Sequence, residues 1–297
     1  MTTRREHFRP GPAPILVLGA SGWIGREILR LGAASGITTG VSRRPSDSPQ
    51  MVVVRRPVEL EAALKERRIQ TLINCVGAST GDERALRSAN TEAAREIGET
   101  CRRLGVRLLH IGSAAEYGLA DDDAVPESAP TRPQTAYGRT KLAGTEQLQR
   151  LAEKGLDLTV ARPFNIVGAG QPLSTPIGEF AASIRCLPET GGGIRVRDSR
   201  LVRDFLSRTR VAEMLLDLVQ APGRVPVVNL CSGLGLSFAE FIHAMAKVRG
   251  MHVEITNTQP GGIPRIVGDP TLLHSVIGDR TPEDVEKLAR VALQPPP

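Results

Sequence analysis

The sequence is poor in aromatic residues. Phenylalanine, tryptophan and tyrosine make up 3% of its 297 residues, with one tryptophan and two tyrosines, Tyr117 and Tyr137. So few rings give no platform for stacking successive bases, which argues against a single-strand nucleic-acid binder. Lysine is also scarce: five of the 38 basic residues are lysine and 33 are arginine, and no lysine-rich block tracks phosphates or lipid headgroups. The net charge of +6 therefore reads as an arginine-rich surface, with an anionic small molecule as the other source of a basic balance. No nucleic-acid or membrane partner is expected.

The four cysteines, Cys75, Cys101, Cys186 and Cys231, form no C-x-x-C pair and stand among no histidines at ligand spacing. They read as reduced thiols in or near the core of a cytoplasmic protein, and no metal site is expected. No apolar run approaches membrane-spanning length. Residues 1–14 are polar, basic and proline-containing, without the apolar stretch of a signal peptide. That segment and residues 294–297 are expected to be loose ends.

What is present is a globular balance, 40% hydrophobic and 24% charged, in a chain long enough for one large domain or two modest ones. Short apolar runs at 15–18, 37–42, 51–54, 71–76, 106–111 and 158–161 read as strands. Between them, helical patterns cover 23–34, 58–67, 91–104 (with Asn90 placed as its N-cap) and 137–154. Such alternation implies a parallel sheet covered on both faces, a doubly wound α/β fold of the Rossmann type. After Arg162 glycine and proline rise and the pattern becomes irregular through Ser199. A helix at 211–220 and a strand at 227–230 look like a return to the main sheet, and 238–249 is amphipathic. The expected division is a dinucleotide-binding domain over 14–165, rejoined by 201–232, and a smaller C-terminal substrate-binding domain from 166–200 and 233–297.

Gly19-x-x-Gly22-x-x-Gly25 falls between the first strand and the first helix. Glycines there allow the tight turn, close approach of a pyrophosphate to the backbone and close helix packing, with helix N–H groups aimed at the anion. Ser21, Trp23 and Ile24 fill the turn, while Val76 and Gly77, at the end of the fourth strand, face it. NAD-binding folds place an acid about 20 residues past the turn for the ribose hydroxyls. Here the second strand ends in Ser42-Arg43-Arg44. An acid would repel a 2′-phosphate and arginine would pair with it, so the expected cofactor is NADP(H), with Arg43 first, Ser42 assisting and Arg44 beside them.

Tyr137-Gly-Arg-Thr-Lys141 places a phenol and an ammonium on one helix face. A neighbouring ammonium favours phenolate and should lower the tyrosine's pKa, so that Tyr137 can exchange a proton at a carbonyl or alcohol oxygen. Ser113 follows the fifth strand, at the carboxyl end that faces the ligand crevice, and could hydrogen-bond the same oxygen.

Together these motifs resemble the extended short-chain dehydrogenase/reductase family, the NAD-dependent epimerase/dehydratase group. Asn90 before a helix, Arg162-Pro-Phe-Asn-Ile-Val-Gly168 followed by Gly170-Gln171, Val202-Arg-Asp-Phe205 and Val228-Asn-Leu-Cys-Ser-Gly233 are similar to further motifs of that group, in its order. The resemblance implies Ser113, Tyr137 and Lys141 as catalytic residues and Pro163 at the cofactor. It also implies a nucleotide-diphosphate sugar as substrate, met by Ser113, Asn165 and Arg203, and a homodimer built on the Tyr137 helix and its neighbour. Dehydratases of the group carry two acids directly after the hydroxyl residue; here Ala114 and Ala115 stand there, with Glu116 one place later. The arginines after the second strand favour a reductase that consumes NADPH. Pro264-Arg-Ile-Val-Gly-Asp269 is similar to the nucleotide-sugar 4-ketoreductases, which reduce a 4-keto-6-deoxyhexose. Gln259 stands where many relatives have a phosphate-binding arginine, and Arg265 is the candidate replacement. Two other readings stay open, an NAD-dependent nucleotide-sugar epimerase and a non-catalytic NADP-sensing relative.

Overall fold

A computed structural model describes residues 14–33, 38–42, 51–54, 56–120 and 123–295. The chain begins β1 (Ile15–Leu18), α1 (Trp23–Gly32), β2 (Thr38–Ser42), β3 (Met51–Val53), α2 (Pro57–Glu66), β4 (Thr71–Asn74) and α3 (Glu83–Arg87). It continues through α4 (Ala93–Leu104), β5 (Arg107–Ile111), α5 (Ala136–Ala152), β6 (Leu158–Pro163), β7 (Asn165–Val167), α6 (Pro176–Cys186) and β8 (Gly192–Val196). The remainder is β9 (Val202–Ser207), α7 (Arg208–Gln220), β10 (Val227–Leu230), β11 (Gly235–Ser237), α8 (Phe238–Val248), β12 (Val253–Asn257), β13 (Arg265–Ile266), α9 (Thr271–Ile277) and α10 (Val285–Leu293).

Seven parallel strands form one sheet in the order β10-β6-β5-β4-β1-β2-β3. This is a Rossmann-type α/β fold. The apolar runs are continuous rather than alternating because both faces are covered. On one face Ile15, Val17 and Ile73 pack with Ile28 of α1, Leu215 of α7 and Leu273 of α9. On the other, Leu16, Leu72 and Leu108 pack with Leu64 of α2, Ile97 of α4 and Leu148 of α5. A second core takes four of the six phenylalanines: Phe180 of α6, Phe205 of β9, and Phe238 and Phe241 of α8. Two of their ring pairs lie 4.8 and 5.2 Å apart. The few aromatics of the chain are thus concentrated where a small sheet must be sealed against three helices.

Several expectations need correction. Of residues 201–232, α7 and β10 join the large sheet, but β9 pairs with β7, β11 and β13 in a separate small one. From the stretch assigned to the second unit, α9 returns to pack beside β10 and α7. Asn90 does not cap α4. Residues Ser88–Glu92 form a wider π-type turn that carries helix α3 on into α4, so no free helix end exists for it to cap. Cys186 is exposed, while Cys101 and Cys231 are buried and Cys75 is half-buried. Arg43 and Arg44 lie outside the described residues.

Candidate active site

The strand order runs outward in opposite directions from β1 and β4, which opens a crevice at their carboxyl ends. A cavity of about 750 Å³ lies there, lined by Gly19, Ser21, Val41 and Arg56 among others. A second cavity, of about 430 Å³, lies toward Ser113 and Tyr137. The two share Gly22, Cys75, Val76, Gly77 and Ala78, so they form one continuous groove. Helix α1 points its N-terminus into it. Gly22 is the N-cap, no side chain caps the helix, and no acid lies in the first turn. Its first N–H groups are therefore available to an anion. Space is tight where the helix crosses the strand: a Cβ on Gly25 would stand 2.3 Å from the carbonyl oxygen of Gly19. At Gly77 a Cβ would lie 3.0 Å from Asn90 Oδ1 and 3.3 Å from Lys141 Nζ, filling the groove's floor. The groove's uncapped helix N-terminus and glycine floor suit the pyrophosphate of a dinucleotide. Gly19 and Ser21 line its larger part, and Trp23, Ile24, Gly25, Tyr137, Lys141 and Pro163 its smaller one. Ser42 ends β2, opposite Val53 of β3. Arg56, after the third strand, belongs to no motif visible in the sequence; it lines the larger cavity and pairs with Glu59 at 2.8 Å.

Helix α5 starts at Thr135, whose side chain accepts from the Gly138 N–H at 3.0 Å. That cap sets Tyr137 in the first turn and Lys141 one turn on, both at the cavity wall. Asn90 does the work that capping would have wasted. Its Oδ1 accepts from the Ala78 N–H at 2.9 Å, and its Nδ2 donates to the Ala78 carbonyl and to Thr140 Oγ1. The groove floor is thereby stitched to the helix that carries the reactive pair.

Lys141 is buried, and its Nζ donates to the Ile111 carbonyl at 2.6 Å. Burial pulls its pKa down to about 8, against the opposing pull of Glu116. The groups around it are held neutral. Burial, then Lys141, keeps His110 well below its ordinary value, and burial pushes the Cys75 thiol up to about 12. Asn74 Oδ1 accepts from the Val76 N–H, so its Nδ2 donates to His110 Nδ1 at 3.0 Å and the histidine carries its proton on Nε2.

Tyr137 departs from expectation. Its pKa is raised, not lowered: burial disfavours phenolate more than the hydrogen bond from Ser113 favours it, and Glu116 adds to the rise.

Ser113 serves twice. Its N–H donates to Glu116 Oε1 at 2.9 Å and its Oγ accepts from the Ala115 N–H, closing a short turn over Ala114–Glu116, while the side chain borders the cavity. Glu116 is fully buried. It accepts from Thr145 Oγ1 at 3.1 Å and pairs with Arg162 at 2.9 Å. Arg162 lies 4.6 Å over the Tyr117 ring, and the Tyr117 hydroxyl donates to Asn229 Oδ1. Glu116 is therefore a strut under Ser113 and faces away from the cavity, so no acid stands where a dehydratase would need its pair.

Asn165 lines the smaller cavity; Arg203 stands behind Phe238, with its guanidinium 5.5 Å from that ring. It donates to the Val202 carbonyl and makes no ion pair with Asp204, whose carboxylate instead takes Ser232, Gly233 and Gly268 donors. Arg265 does not join it. Arg265 is paired with Val202 in the ladder, so its side chain leaves by the other face, and its Nε donates to the Asp123 carbonyl. Among the described residues no cluster of possible metal ligands occurs, and no helix is long and apolar enough to cross a membrane.

The chain's single tryptophan joins the two halves of the site. Trp23 Nε1 donates to the Ala169 carbonyl at 2.9 Å, and Arg208 reaches the same oxygen while lying 5.3 Å from the indole. Trp23 is the first residue of α1, directly after the glycine turn, so a dinucleotide seated on that turn should quench its emission by energy transfer when NADPH is titrated. Unchanged emission at saturation would place the dinucleotide elsewhere. Lys141 yields a second test. Its folded pKa, about 8, lies below the ordinary 10.5, so the unfolded chain binds more protons between those values and stability rises with pH across that window. The full effect is about 3 kcal/mol. Lys141→Met should flatten the slope of urea unfolding free energy against pH; an unaltered slope would contradict the assignment.

Residues 15–231 match the model of the NAD dependent epimerase/dehydratase family. The chain belongs to this family. Among curated members, it is 30% identical over 260 residues to the dTDP-6-deoxy-L-talose 4-dehydrogenase (NAD(P)(+)) of Kitasatospora kifunensis, covering 82% of each chain. It is 25% identical to a UDP-glucose 4-epimerase of Azospirillum brasilense, over 89% of this chain and 86% of that one. Among solved structures, RMD from Pseudomonas aeruginosa complexed with NADPH superposes with a TM-score of 0.78 at 23% identity, over 95% and 97% of the two chains. That likeness is one of fold.

Proposed function

We propose that this family member reduces the keto group of a nucleotide-diphosphate 4-keto-6-deoxyhexose, with NADPH as the consumed reductant. The observation that carries the reading is the placement of Tyr137 and Ser113 together at a cavity where Ala114, Ala115 and the turned-away Glu116 leave no acid pair for dehydration. The likeness to a 4-dehydrogenase of a dTDP-6-deoxysugar supports it, as does Ser42-Arg43-Arg44 after the second strand.

In this reading the dinucleotide lies along the groove, over the glycine turn and the α1 N-terminus, with Arg43 at the 2′-phosphate. When bound it supplies hydride to the keto carbon. Ser113 Oγ donates a hydrogen bond to the keto oxygen, where charge develops. Tyr137 gives its proton to that oxygen. Lys141, fixed on the Ile111 carbonyl, presents its remaining N–H donors to the nicotinamide ribose and to the phenol. Asn165 meets the sugar and Arg203 the diphosphate. Residues 166–200 and the part of 233–295 outside α9 supply the sugar's pocket, and a homodimer on α5 and α4 fits the family pattern.

The test is oxidation of NADPH, with NADH in parallel, by the purified protein and dTDP- or GDP-4-keto-6-deoxyhexoses. Consumption of NADPH with one of them supports the reading. The likeness to a UDP-glucose 4-epimerase favours a second one: an NAD retained through each cycle. No consumption, with NAD released on denaturation, would favour that. Tight NADP binding without turnover of any carbonyl substrate would point to a sensing role.

A further inference from the structure

One main-chain carbonyl between the two halves of the site is held by two side chains. The Ala169 oxygen accepts from Trp23 Nε1 at 2.9 Å and from Arg208 Nη1 at 3.3 Å. Arg208, the first residue of α7, is itself held. Glu27, buried one turn along α1 from Trp23, pairs with it at 3.4 Å and accepts from Thr209 Oγ1 at 2.7 Å. Gly168 lies close against this junction: a Cβ there would stand 3.0 Å from the indole's Cζ2 and 3.0 Å from Arg208 Cβ. The loop then turns back. The Gln171 N–H donates to the Gly168 carbonyl at 3.2 Å, and Gln171 Nε2 donates to the Ile166 carbonyl at 2.9 Å. Ile166, Gln171 and Pro172 line the smaller cavity. A shift of Ala169 therefore moves that wall.

Trp23 is also the first residue of α1, and that helix starts with no side-chain cap and no acid in its first turn. An uncapped helix end leaves its first N–H groups without intrahelical partners, and a bound anion satisfies them. A dinucleotide seated on the glycine turn thus completes the start of α1 and steadies the residue that holds Ala169. We propose that Trp23 is a positioning residue for the sugar nucleotide: its indole N–H holds the 168–171 loop on the dinucleotide turn, so that a seated dinucleotide tightens the sugar's cavity. The inference rests on the nucleotide-sugar reading above and deepens it. Coupling of this kind is reciprocal, so a seated sugar nucleotide tightens the dinucleotide by the same factor.

Two substitutions break the tie from opposite ends. Trp23→Phe keeps an aromatic ring and removes the N–H. Gly168→Ala leaves α1 unchanged and sets a methyl between the loop and the indole. The measurement is calorimetric titration of dTDP-glucose and GDP-mannose, with and without saturating NADPH, and of NADPH alone. Wild type should bind one sugar nucleotide roughly tenfold more tightly with NADPH present, within the usual range of such couplings. Both variants should bring that ratio to within about twofold of unity. Gly168→Ala should bind NADPH alone within about twofold of wild type. Variants that weaken the sugar nucleotide equally with and without NADPH, and so keep the wild-type ratio, would overturn the proposal, because a merely structural role lowers both affinities together. A wild-type ratio near unity would overturn it too. If wild type binds neither sugar nucleotide in either condition, the nucleotide-sugar reading itself falls. If wild type binds one and Trp23→Phe retains the ratio, only this inference falls.

Discussion

Tyr137→Phe should lower kcat for ketone reduction by about 10²- to 10⁴-fold, the range over which a positioned general acid contributes. The affinity for NADPH should change by no more than about twofold, because the substitution removes a single hydroxyl and keeps the ring against its surroundings. The geometry supplies the reason. Thr135 caps α5 and the cap sets Tyr137 at the cavity wall shared with Ser113. The check is steady-state kinetics with NADPH titrations on both proteins. A kcat within tenfold of wild type would move the proton donor to another group or to water.

The second large effect is on stability. Arg162→Met should cost about 3–5 kcal/mol, because it leaves the Glu116 carboxylate buried without its counter-charge. The pair has side-chain exposures of 5% and 0%, so solvent cannot replace the lost partner. In thermal unfolding the loss corresponds to a fall on the order of 10 °C. The damage should also reach the chemistry: Glu116 holds the Ser113 N–H, so a displaced carboxylate moves the hydroxyl proposed to meet the keto oxygen. Combining Arg162→Met with Glu116→Leu should restore part of the stability by removing both charges, though Ser113 and Thr145 lose their acceptor. Urea unfolding of the three variants gives the comparison. A cost under about 1 kcal/mol for Arg162→Met would mean that the pair behaves like a solvated surface bridge.

Much of the large sheet can be read from the sequence because its determinants are local. Each apolar run and the helix after it lie within a few tens of residues, and parallel pairing demands that alternation. The glycine turn and the Tyr137–Lys141 pair are likewise short-range patterns on a strand end and a helix face. Beyond β6 the pairing is set at long range. Strand β8 pairs with β12, placing Ile194 beside Ile255, and β9 gathers β7, β11 and β13. No periodicity marks those partners. The site shows the same division. A lysine four residues after a tyrosine suggests a lowered phenol pKa, but the burial that raises it instead is set by the tertiary fold and is invisible in the sequence. Asn90 looks like a helix cap until the continuous α3–α4 path removes the end to be capped. Glu116 looks like a displaced catalytic acid until Arg162, distant in the chain, turns it inward. The tie from Trp23 to Ala169 has no sequence signature, because the two residues meet only in the fold.

Tracing the hydride separates net reduction from every other reading of the site. The protein would be supplied with NADPH deuterated at the transferable C4 position and with a dTDP- or GDP-4-keto-6-deoxyhexose, and the product sugar examined by mass spectrometry. A ketoreductase should leave one deuterium on the carbon that carried the keto group, with one NADP+ formed per product. Turnover of the sugar nucleotide without net dinucleotide oxidation, and without deuterium in the product, would contradict that assignment.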